Sequence, residues 1–180
     1  MGEAYVDGVG STWTNTGTVI VGSNATGFLD IANGGALSNT YGEIGGWPGA
    51  TGDVMVYGTG STWTNTASLR IGTTGSGSGV LLIADGGAVS SGTWVNISDA
   101  SQLAIEVSGN SMLTVGTYLT NDGVVRLGAQ AHLAIGTYTP ITVTDTWGGT
   151  GAYQTFGGVW NGGTHQFLVG AAATTTSGVL

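Results

Sequence analysis

The heptad Gly-Ser-Thr-Trp-Thr-Asn-Thr occupies residues 10–16 and returns letter for letter at 60–66, 50 positions later. Self-similarity at a fixed interval marks a chain built from stacked units, because one such unit cannot bury its apolar face alone. The match runs on either side of the heptad. Val6-Asp7-Gly8 aligns with Val56-Tyr57-Gly58, and Val19-Ile20-Val21-Gly22 with Leu69-Arg70-Ile71-Gly72. After a two-residue insertion, Leu29–Ser38 aligns with Leu81–Ser90. A weaker third copy places Leu119-Thr120-Asn121 on Trp-Thr-Asn and Val125-Arg126-Leu127-Gly128 on Leu69-Arg70-Ile71-Gly72, so that Arg70 and Arg126 share one repeat position.

The letters between these anchors say which regular structure repeats. Charged residues are 7% of the chain, against roughly a quarter in ordinary domains. The strong helix formers Lys, Glu and Arg are scarce, while Val, Ile, Thr, Trp and Tyr recur, which specifies strands. Gly is 36 of 180 residues but has no three-residue period, so collagen is excluded. The fold class is all-β.

Alternation assigns the faces, since successive strand side chains point to opposite sides. Arg70 belongs in solvent, so Leu69 and Ile71 face the core. By position Val19, Val21, Val125 and Leu127 join them, as do Leu29, Ile31, Leu81 and Ile83, with Asp30 outside. In the heptad, Ser11, Trp13 and Asn15 take the inner face, and Trp63 follows Trp13. The opposite face carries two ranks of threonine, Thr12/Thr14/Thr16 and Thr62/Thr64/Thr66. Asn33-Gly34-Gly35, Asp85-Gly86-Gly87 and Asn121-Asp122-Gly123 supply tight corners.

Strand and corner alternate about every ten residues, which suits either a sandwich of hairpins or a solenoid of parallel rungs. The constant interval decides for the solenoid, where equivalent side chains stack as ladders. The expected architecture is a single-stranded parallel β-helix, one ~50-residue super-repeat spanning two or three coils. Repeats occupy 1–139, with copies near 5–52, 53–105 and 106–139. Pro140 breaks the rhythm, and 140–180 is rich in Trp, Tyr and Phe, as expected of a C-terminal cap and tail covering the last rung.

The pattern V-x-G-x-G-S-x-W-x-N-T-x-x-[VL]-x-[VI]-G, followed by G-x-L-x-I-A-[ND]-G-G-x-[VL]-S, resembles the β-strand repeats of Gram-negative surface proteins. It is similar to autotransporter passenger domains and to exported proteins with a PEP-CTERM sorting signal. Residues 136–141 through 157–161 also resemble the end region of the latter group. The resemblance implies a secreted or cell-surface β-helix.

Composition narrows the function classes. Ten acids against two bases give a net charge of −8, which opposes binding to nucleic acid or to an anionic membrane. No run of 18 apolar residues is present, so no membrane insertion is expected. Met1–Ala4 has neither the basic start nor the apolar run of a signal peptide. Without cysteine there are no disulfides or thiolate metal sites. The acids are scattered singly, mostly beside turns, and His132 and His165 are isolated. No catalytic, cofactor or metal site is therefore expected, and a polysaccharide lyase or hydrolase is the least favoured reading.

What remains is a non-catalytic structural or adhesive rod that self-associates end to end into a filament or layer. Two alternatives stand beside it. The threonine ranks could bind ice, although Tyr118, Thr120 and Asp122 of the third copy interrupt them. Trp47, Trp94 or Trp147 could stack on a surface polysaccharide, although they share no repeat position.

Overall fold

The structure, a computed structural model, describes residues 1–73, 76–98, 104–127 and 130–135, together with the backbone of 152–155 and 159–161. It is an all-β solenoid of parallel coils, each coil laying one strand on each of three sheets. The first coil is β1 (Gly2–Asp7), β2 (Thr12–Thr14) and β3 (Thr18–Val21). The second is β4 (Thr26–Ala32), β5 (Ala36–Asn39) and β6 (Tyr41–Ile44). The third is β7 (Thr51–Tyr57), β8 (Thr62–Asn65) and β9 (Leu69–Ile71). The fourth is β10 (Ser78–Ala84), β11 (Ala88–Ser91) and β12 (Trp94–Ile97). The fifth is β13 (Ile105–Val107), β14 (Met112–Val115) and β15 (Tyr118–Asn121). Then β16 (Val124–Leu127) and β17 (His132–Ile135) begin a sixth coil. Finally β18 (Ala152–Thr155) and β19 (Val159–Asn161) add a rung to two sheets. These last two strands come from the stretch expected to form the cap. The rest of that stretch, with Trp147 and His165, lies outside the described residues.

Register shows what the 50-residue unit is. Trp13 pairs with Leu37, Leu37 with Trp63, Trp63 with Val89 and Val89 with Leu113. One super-repeat is therefore two coils. In β8 the alternation is realised as expected, with Trp63 and Asn65 buried and Thr62 and Thr64 on the outside. Val19 and Val21 of β3 stand in the same columns as Leu69 and Ile71 of β9, and all four are buried.

Two expectations are corrected. Leu119-Thr120-Asn121 does not continue the Trp column. It lies in the third sheet, stacked through Val95, Asn96 and Ile97 on Leu69, Arg70 and Ile71. Likewise Val125 and Leu127 are buried in the first sheet, paired with Ile105 and Val107, rather than in the column of Leu69 and Ile71. Arg70 and Arg126 are thus on different sheets. The second correction is Trp13, which holds the inner position but is 39% exposed, whereas Trp63 is 0%. The first rung has a neighbour on one side only, so its inner side chains are covered from one side.

Corners between the first and second sheets repeat every coil. Asn33 and Asp85 take the left-handed conformation at φ 51° and 52°, which short polar side chains tolerate best. Gly35 closes this corner because a Cβ there would run into the Val6 carbonyl of the coil before.

Candidate functional site

A triangular rod presents three outer faces and two ends, and the sequence-predicted site residues are spread over them. On the second sheet, Thr12 stands in a column with Ala36, Thr62, Ala88, Met112 and His132. Thr14 stands in a column with Ser38, Thr64, Ser90 and Thr114, a hydroxyl on each of five coils. Thr16 and Thr66 are outside the strands, exposed at the corner beyond. The interruption expected from Tyr118, Thr120 and Asp122 falls elsewhere, because Tyr118 and Thr120 belong to the third sheet and Asp122 follows it. What breaks the Thr12 column is alanine on the second and fourth coils, then Met112 and His132.

Beneath this face the inner corner is a polar ladder. Asn39 Nδ2 donates to Asn65 Oδ1 at 2.7 Å, and Trp63 Nε1 donates to Asn39 Oδ1 at 2.6 Å. All three side chains are buried, so each bond satisfies groups that water cannot reach. The Trp63 indole has room because Gly42, opposite it in the third sheet, has no side chain. A Cβ at Gly42 would run first into Asn65 Oδ1, and would lie 2.8 Å from Leu69 Cδ1 and 2.9 Å from Trp63 Cζ2. The missing Cβ on the second coil thus leaves room for the Asn65 amide, Leu69 and the indole of the third.

Trp13 has the same letters around it and no such seat. It borders a recess of about 460 Å³ at the first coil, lined also by Ala4, Val19, Val21 and Leu29. There β1, β2 and β3 are each the terminal strand of their sheet. Among the described residues, their outward backbone groups have no ladder partner from a strand.

The acids sit as turn and surface residues. Asn33 Nδ2 donates to Asp7 Oδ1 at 2.7 Å. Glu43 faces Arg70 at 3.6 Å, and Arg126 donates to Glu106 at 3.2 Å. On the first sheet, burial holds the Asp30 and Asp53 carboxyls above the ordinary range, with Glu3 adding to the rise at Asp30. Among the described residues no group of three potential metal ligands converges. Sequence reasoning missed the aromatic column of the third sheet, where Trp94 pairs in register with Tyr118. Only the strand register could have revealed it.

No protein-family model, curated protein or solved structure matches the chain.

Proposed function

We propose that this chain is a non-catalytic structural or adhesive rod of the cell surface or secreted space, assembling end to end into a filament or layer. One observation carries the reading. Among the described residues β1, β2 and β3 are each the last strand of their sheet, and Trp13, the twin of a fully buried residue, borders the recess beside them. Paired edges and a covered indole stabilise a second rod docked there, and the docking can be repeated along an axis. Low charge and Thr-, Ser- and Gly-rich faces support an extracellular setting, as does the resemblance of the repeats to exported surface proteins. Sedimentation velocity across a concentration series, with negative-stain microscopy, tests the assembly. The expected result is concentration-dependent growth of thin rods that Trp13→Glu suppresses while circular dichroism stays unchanged. Monomers at every concentration, or growth indifferent to Trp13→Glu, would refute it.

The unbroken hydroxyl column Thr14, Ser38, Thr64, Ser90 and Thr114 favours a second reading, adhesion to a flat ordered surface such as ice. Thermal hysteresis that vanishes in Thr64→Tyr would replace the first reading with this one. The alternating alanines of the neighbouring column argue for its absence.

A further inference from the structure

The outer face of the third sheet carries two columns running along the rod axis. One is aromatic: Tyr41 on the second coil, Trp94 on the fourth and Tyr118 on the fifth. Ser68, the residue before Leu69, holds the intervening place and is buried, leaving a step without a ring between Tyr41 and Trp94. The other column is polar: Glu43, Arg70, Asn96 and Thr120, stacked in register on the same four coils. Tyr41 and Tyr118 are 48% and 40% exposed. The Trp94 and Tyr118 rings are within 17° of parallel with centroids 6.4 Å apart. That exceeds the ~4.8 Å between strands, so the rings are offset and each keeps part of a face uncovered. Trp94 is half-buried, and the exposed faces of rings in a line are costly to leave bare, since they forfeit apolar burial.

We propose that this face binds a linear neutral polysaccharide lying along the rod axis. Pyranose rings present flat C–H faces to the aromatics, and their hydroxyls reach the polar column beside them. Three features select this occupant. The columns span four coils without a wall, so single sugars gain little, whereas a polymer sums contacts over successive coils. Among the described residues, the one base and one acid on the strands of this face are paired, Arg70 with Glu43 at 3.6 Å, so these strands carry no net charge outward. The chain's net charge of −8 opposes an acidic polymer. This site shares no residue with the first-coil end, and it stands whether or not rods associate.

Affinity electrophoresis of the full chain, run in native gels cast with a polymer, tests the proposal. The probes are hydroxyethylcellulose and glucomannan as neutral chains, and polygalacturonate as an acidic one. At least one neutral polymer should retard the protein, excess free glucose should not reverse it, and polygalacturonate should have no effect. Trp94→Ala should weaken the retardation about tenfold, on the scale of a lost ring contact. Tyr118→Ser should do the same, and covers a folding failure of the first variant. Trp47→Ala, which removes a ring 52% exposed but off the column, should change nothing. Three results would overturn the site: no retardation by either neutral polymer, equal retardation by polygalacturonate, or binding that survives Trp94→Ala and Tyr118→Ser. A loss on Trp47→Ala equal to that on Trp94→Ala would overturn the assignment to this face.

Discussion

The first and third coils share seven consecutive identical residues and differ in what those residues experience. Trp63 is fully buried, hydrogen-bonded through Nε1 to Asn39, and fitted over Gly42. Trp13 occupies the same inner position and is 39% exposed. Asn65 is bonded to the coil before it, while Asn15 turns to its own coil, accepting from Gly17 N–H at 3.0 Å and donating to the Thr18 carbonyl at 3.1 Å. A solenoid motif therefore specifies half of an interface. Its energy is realised when a neighbouring coil supplies the other half, which is the nearest-neighbour logic of repeat proteins.

The largest test of that contrast is truncation of the two tryptophans. Trp63→Ala should cost about 3–5 kcal/mol by denaturant unfolding, as buried aromatic truncations do. Trp13→Ala should stay within about 1 kcal/mol under monomeric conditions. Equal costs would mean that the two coils are equivalent after all. Next comes the seat. Asn39→Ala strands the buried indole N–H and the Asn65 carbonyl oxygen, and should cost about 1–3 kcal/mol. Asn15→Ala, at a half-buried corner, should cost less. Gly42→Ala intrudes on the Asn65 amide, Leu69 and the indole, and should also cost about 1–3 kcal/mol by overpacking. In a Trp63→Leu background that penalty should shrink, and a double-mutant cycle measures the coupling. Additive costs would show that the glycine makes room for Asn65 and Leu69 rather than for the indole.

The smallest effect is electrostatic. Asp30 and Asp53 have folded pKa values raised mainly by burial. The fold favours their protonated forms, so stability should rise as pH falls from neutral through the carboxylate range. Asp53→Asn should stabilise the protein at neutral pH, the gain vanishing in acid. Glu3 of the first coil contributes at Asp30 and not at Asp53. Glu3→Gln should thus lower the Asp30 pKa slightly and leave Asp53 unmoved, as followed by NMR titration.

Much of this fold was legible because the interior is written in period two. Arg70 alone was enough to orient β9, and β3 followed from its position in the repeat. The third copy was misread for a physical reason. Thr120-Asn121 matches the heptad and Arg126 matches Arg70 by chance of composition, whereas register is set by the whole set of inner residues and by corner lengths. Partners lie 20 residues apart from Ile105 to Val125 and 28 apart from Val125 to Tyr153. With such variation, a column such as Tyr41, Trp94 and Tyr118 has no constant spacing in the chain. Exposure of Trp13 was illegible for a different reason, since nothing in a repeated heptad says which copy lies at an end.

The most direct test of the account follows both tryptophans in one sample. Protein labelled with fluorotryptophan, with the two resonances assigned by substitution, reports solvent contact through the shift between H2O and D2O. Trp63 should show no solvent shift at any concentration. Trp13 should show a clear shift in dilute protein that fades as concentration rises and rods dock through the first coil. A Trp13 resonance that stays solvent-sensitive while rods grow, or a solvent-sensitive Trp63, would contradict the account.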